Sequence, residues 1–89
     1  MLGVVNISSG GVSGTIADPK VIFATALKTG SSGIILAHNH PSSEVDPSTE
    51  DLNLTKKLSA GASLLDLKIM DHLIISRDRF YSFADEGLL

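Results

Sequence analysis

The feature that most restricts this chain is the run Gly33-Ile34-Ile35-Leu36-Ala37, which passes without interruption into His38-Asn39-His40-Pro41. Unbroken apolarity of that length reads as a strand buried on both faces. Such a strand has to lie inside a sheet, and the polar residues that follow it sit at its carboxyl end. Two histidines therefore stand at the mouth of a buried strand, where Pro41 stops further pairing.

The segments around this strand supply the rest of the sheet and its cover. Leu2 to Ile7 is apolar and β-branched, and Val12 to Ile16 follows the turn-forming Ser8-Ser9-Gly10-Gly11, so the two segments read as a hairpin. Asp18-Pro19 is an N-cap and first-turn pair. Ile22, Phe23, Ala26 and Leu27 then follow at helical spacing until Gly30. Ser48-Thr49-Glu50-Asp51 opens a second helix, with Leu54 and Leu58 on one stripe and an expected end near Gly61. Leu67 to Ser76 alternates as a strand, with Leu67, Ile69, Asp71, Leu73 and Ile75 on one face and Met70, His72 and Ile74 on the other. Phe80 to Phe83 is a last short strand, followed by a turn at Glu86-Gly87-Leu88-Leu89. The order β-β-α-β-α-β-β predicts an α/β (α+β) fold, a mixed β-sheet with two helices, in one domain spanning residues 1–89.

Composition narrows the function classes. The net charge is −3 and no basic run exceeds Lys56-Lys57, so the electrostatic footprint of a nucleic-acid binder is missing and direct DNA contact is not expected. With no cysteine there is no disulfide framework, thiolate zinc site or Cys nucleophile, and any metal falls to His and carboxylate ligands. The first residues carry neither a basic leader nor a long apolar core, and no stretch reaches the ~18 apolar residues of a membrane span, so the expected location is cytoplasmic. One Tyr, three Phe and no Trp leave the core to small aliphatic side chains, which a bound metal or a partner would reinforce.

His38 and His40 are two residues apart, so in an extended chain both imidazoles point to one side and can grip one ion. Asp51, on the first turn of the second helix, would add a carboxylate if the loop from Pro41 to Pro47 returns the chain to the same point. Two nitrogens and one oxygen on a tetrahedral ion leave a fourth position for water, the arrangement of catalytic rather than structural zinc. Each piece also has a plainer reading. Ser48-x-x-Asp51 fits a capping box, and a His-x-His pair in a loop needs no metal to explain it.

The order His38-Asn39-His40-Pro41-Ser42, then Ser48, then Asp51, resembles the His-x-His-Pro-x6-Ser-x2-Asp motif of the JAMM metalloproteases of the JAB/MPN superfamily, and the Asn and Pro-Ser around the histidines resemble its RadC family. The likeness extends to Asp18-Pro19-Lys20-Val21-Ile22-Phe23, to Ile34-Ile35-Leu36-Ala37, to the segment from Leu67 to Ile75, and to Tyr81-Ser82-Phe83-Ala84-Asp85-Glu86-Gly87. The resemblance implies a JAB/MPN-like (cytidine-deaminase-like) fold and a Zn2+ site on His38, His40 and Asp51. It also implies Ser48 as hydrogen-bond donor to the oxyanion formed when a peptide or isopeptide carbonyl is attacked. In that family the general base is a Glu on an early strand. The three glutamates here, Glu44, Glu50 and Glu86, all follow the histidines.

That absence leads to the expectation that the chain is N-terminally truncated and lacks the strand bearing the base, with Glu44 or Glu50 as less favoured substitutes. Three functions follow: a zinc metallopeptidase domain acting on a peptide or protein substrate, inactive without its Glu; a non-catalytic interaction module, forming homo-oligomers through the first strand; and a DNA-repair factor, which rests only on the family's customary label. His72 reads as a satisfied buried histidine rather than a partner of the site. Alternation places Asp71 on the opposite face, away from any role in orienting a ligand, and Asn39 reads as a loop-satisfying side chain.

Overall fold

In the computed structural model, residues 2–9, 15–16, 18–40 and 44–89 are described. The elements are β1 (Leu2–Ser9), β2 (Thr15–Ile16), α1 (Pro19–Thr29), β3 (Gly33–Asn39), α2 (Thr49–Leu64), β4 (Lys68–Ile75) and β5 (Phe80–Ser82). They form one five-stranded sheet in the order β2-β1-β3-β4-β5, with β1, β3 and β4 parallel and the two outer strands antiparallel. The expected mixed sheet with two helices is therefore present. The first hairpin forms with Ser8 opposite Ile16 and Ser9 opposite Thr15. Its turn and the start of its second strand, residues 10–14, lie outside the described residues, as do Pro41 and Ser42 of the histidine loop.

The direction of winding decides where the helices go. β1 to β3 and β3 to β4 both step the same way across the sheet, and right-handed crossovers in one direction place both connecting helices on one face. The core shows this: Ile22 and Ala26 of α1, Leu58 and Ala62 of α2, Ile34 and Leu36 of β3, and Leu67 and Ile69 form one buried cluster. β3 is consequently not buried evenly on both sides, as its composition suggested. Ile34, Leu36 and His38 are buried beneath the helices, whereas Ile35 and Ala37 on the other face are half-buried. Leu2 and Val4 of β1 are 56% and 67% exposed. Met70 and Leu2 close over Gly33 on that face, where an added Cβ would stand 2.6 Å from Leu2 Cδ2 and 2.9 Å from Met70 Cγ.

Capping sets three of the four helix ends. The Asp18 side chain accepts from Lys20 N–H at 2.9 Å, and Gly30 closes α1 in the left-handed region at φ 69°. α2 begins at the expected Ser48 but does not end near Gly61; it runs on to Leu64. Gly61 is a contact point rather than a terminator, since a Cβ there would lie 2.8 Å from Phe23 Cε2 of α1. The missing side chain lets the two helices approach, at a helix-propensity cost of about 1 kcal/mol.

β4 departs from simple alternation. Ile34 lies opposite Ile69, but the next residue, Ile35, lies opposite Asp71, so Met70 is an extra residue, a β-bulge. The bulge shifts the phase of the strand. Leu67 and Ile69 before it, and His72 and Ile74 after it, are all buried. The expected two-face assignment is thus corrected: His72 shares the helix-facing side with Leu67 and Ile69, not with Met70. Asp71 lies opposite His72, as expected, but the bulge also takes it off the face of Leu67 and Ile69, and it organises the C-terminal turn. It accepts from His72 N–H at 2.7 Å, from the Ser82 hydroxyl at 2.7 Å and from Ala84 N–H at 3.0 Å. His72 is fully buried, stacks on Phe83 at 4.4 Å and meets Thr55 of α2 through Nδ1 at 2.6 Å. Among the described residues no helix is long and apolar enough to cross a membrane.

Two outcomes follow from this packing. Gly61→Leu should lower stability by about 1–3 kcal/mol, because the side chain must displace Phe23 in a closed helix–helix contact; urea denaturation measures it. Burial pushes the His72 imidazole down from 6.5 to about 4. The unfolded chain therefore takes up a proton that the folded chain refuses, and stability should be level above pH 6.5 and fall by about 3 kcal/mol between 6.5 and about 4. His72→Leu should flatten that slope in denaturation series at pH 7.5, 5.5 and 4.5.

Candidate metal centre

Three elements converge on one point. β3 delivers His38 in its last turn of pairing, the residue after β3 is His40, and the first turn of α2 delivers Asp51. His40 is held in line by its backbone N–H, which donates to the Ile75 carbonyl at 3.0 Å. The His-x-His spacing does place both rings on one side, with centroids 4.7 Å apart and planes at 88°. His38 Nδ1 lies 3.2 Å from Asp51 Oδ1, and His40 Nε2 lies 3.3 Å from Asp51 Oδ2. One ligand atom from each of the three residues fits within a mutual distance of 4.8 Å.

Ser48 and Asp51 also form the capping box. Asp51 N–H donates to Ser48 Oγ at 3.1 Å, and Ser48 N–H donates to Asp51 Oδ2 at 2.9 Å. The two readings that competed for Asp51 are geometrically compatible, because a carboxylate has about four acceptor positions and the cap occupies one. Ser48 is thereby placed beside the cluster, with Oγ facing the Asp51 backbone. Glu50, next to Asp51, is exposed on α2, and Glu44 contributes a main-chain contact to His40.

The electrostatics favour a cation. Asp51 is completely buried. Burial works to raise its carboxyl group, but the Ser48 hydrogen bonds and the facing histidines outweigh it and hold the group below its ordinary value, so it is ionised at neutral pH. His38 is lowered, chiefly by burial, with His40 adding to the effect and Asp51 opposing it. Its neutral form is therefore the one favoured opposite a buried negative charge. His40 Nδ1 is 3.1 Å from the Glu44 carbonyl, which can only accept, so Nδ1 carries a hydrogen and Nε2 is the ring nitrogen turned to Asp51 Oδ2. A divalent cation suits imidazole nitrogens and carboxylate oxygens held this close, and the main-chain anchor on the far ring nitrogen is how metal-binding histidines are commonly oriented. The residues fit the metal that their motif implies.

Two contacts near the centre carry little signal in the sequence. The Glu44 carbonyl has no side-chain signature, and the Thr55–His72 contact depends on a bulge that no residue in β4 announces. The one available signal was that Thr55 follows Asp51 by four positions and so shares its helix face.

A family model described as a RadC-like JAB domain matches residues 1–88. Relatives called UPF0758 protein include one from Flavobacterium johnsoniae, 49% identical over 82 residues, covering 92% of this chain and 36% of the relative. Another, from Porphyromonas gingivalis, is 49% identical over 90 residues, covering the whole of this chain and 40% of the relative. A third, from Aquifex aeolicus, is 45% identical over 83 residues, covering 93% and 36%. The chain thus spans less than half the length of these relatives. With the match running along essentially all of its residues, the chain belongs to the RadC-like JAB domain family.

Proposed function

We propose that this domain binds a single zinc ion through His38, His40 and Asp51 and belongs to the hydrolytic machinery for peptide or isopeptide bonds. The observation that carries the reading is the buried, ionised Asp51 carboxylate confronting the nitrogens of two histidines at 3.2 and 3.3 Å. When bound, zinc supplies Lewis acidity and a water that ionises near neutral pH. The chain's own part is orientation. The Glu44 carbonyl fixes the His40 ring, the capping box fixes the Asp51 carboxylate, and the N-terminus of α2 adds a favourable positive field around it. Ser48 stands next to the ligand carboxylate and is the residue proposed to donate to the oxyanion of an attacked carbonyl, since its Oγ accepts from Asp51 N–H and keeps its own hydrogen to give.

No glutamate precedes His38 in this sequence, so the general base is proposed to come from outside these residues, in keeping with the greater length of the relatives. The proposal includes a cytoplasmic setting and a protein or peptide substrate, without direct DNA contact.

The exposed Leu2 and Val4 of β1, a strand that β2 pairs only at Ser8 and Ser9 among the described residues, favour a second reading, an interaction module in which the metal clamps loop to helix and β1 meets a partner or another copy. Metal dependence of stability without any hydrolysis would select it.

Zinc titration of the purified chain should show one ion per chain. His38→Ala, His40→Ala and Asp51→Asn should each weaken binding by 10²-fold or more, and a parent chain that takes up no zinc sinks the reading. Ser48→Ala should cost about 1 kcal/mol of stability through the lost cap while leaving zinc stoichiometry intact. In a form of the protein that cleaves peptides, the same change should lower kcat by ~10²-fold with a smaller change in KM.

A further inference from the structure

Thr55 and His72 are 1% and 0% exposed, on α2 and β4 respectively, and neither offers a ligand atom to the three-residue centre. Their contacts are directional. A carbonyl oxygen only accepts, so the Thr55 hydroxyl gives its one hydrogen to the Asp51 carbonyl, 2.9 Å away. The remaining contact, 2.6 Å to His72 Nδ1, then takes its hydrogen from the ring, which makes His72 the Nδ1–H tautomer. Donation runs from His72 to Thr55 and from Thr55 to the main chain of Asp51.

The position of this chain of bonds matters. His72 lies opposite Leu36 on β3, two residues before His38, and its ring is 6.2 Å from that of His38. It is brought to this side of β4 by the Met70 bulge and clamped by the stack on Phe83. The bonds therefore tie the first turn of α2 to the strand beside the one that carries His38. His72 Nε2 is buried with no hydrogen-bond partner among the described residues. An aliphatic side chain would fill the space without that cost, so what the imidazole adds at this position is its Nδ1 contact.

We propose that His72 is a positioning residue for the metal centre: through Thr55 it sets where the Asp51 carboxylate stands relative to His38 and His40. The proposal rests on the metal reading above and extends it to a residue that touches no ion. Metal affinity then depends on a buried pair outside the ligand set, as it does for outer contacts of other metal sites, where losses of ~10- to 100-fold are usual.

The test is zinc affinity by chelator competition on the parent chain and on His72→Leu, Thr55→Val, the double variant and Thr55→Ser, at a temperature where circular dichroism shows each to be folded. His72→Leu and Thr55→Val should each weaken zinc binding ~10- to 100-fold. The double variant should be no weaker than the worse single, because both cut one chain of bonds, and Thr55→Ser should recover affinity to within about 3-fold. Folded His72→Leu and Thr55→Val proteins with parental affinity overturn the proposal. A second arm needs neither metal nor variants. Nitrogen-15 spectra of the metal-free parent at pH 7.5 should show His72 protonated at Nδ1, and protonation at Nε2 overturns the proposal whatever the metal data say. Failure of the parent itself to take up zinc is a distinct result, which removes the metal reading and this one with it.

Discussion

A fully buried carboxylate is the constraint on which the arrangement around it depends. Asp51 has no exposure to water, and an ionised group in that position is tolerable only when hydrogen bonds and opposite charge replace its hydration. The replacements come from three directions: the N–H of Ser48, the positive end of α2, and the nitrogen atoms of two histidines. The first two are local to the helix start, as in a simple cap, whereas the histidines are brought in from β3 and the residue after it. The site therefore depends on the end of β3 and the start of α2 being held side by side.

The same residue shows how a helix signal and a ligand signal coexist. Capping needs one oxygen of Asp51 aimed back at the Ser48 amide, and metal binding needs a carboxylate aimed at the histidines. Here the return of the chain from β3 brings His38 against Oδ1 and His40 against Oδ2, so one rotamer serves both.

The parts of the fold legible in the sequence are those with local chemistry. Asp18-Pro19 and Gly30 bound α1, Ser48 starts α2, and the apolar run from Gly33 marks β3, because each depends on residues within one turn of itself. What escaped notice depends on distant neighbours. Gly61 reads as a helix end until Phe23 of α1 is seen to occupy the space beside it. Alternation in β4 fails at Met70 because the pairing with β3 takes up an extra residue, which is a property of two strands and not of one. The even burial expected of β3 fails because both crossovers wind in the same direction. The three residues of the centre were legible as a motif, whereas the carbonyl and the buried threonine that orient them were not, since main-chain contacts leave no trace in residue type.

The bulge at Met70 makes β4 two short strands spliced out of phase. Before the bulge, Ile69 packs with Leu67 into the cluster beneath the helices; after it, Ile74 packs with Phe83 and His72 meets Thr55 beside the site. An unbulged strand carries one reading frame of faces, and a change of register anywhere moves every side chain in it. Here the two halves are decoupled. The residues that fit the helical layer can drift in size and shape without re-aiming His72, and the packing around His72 can be tuned without disturbing the core beneath α1.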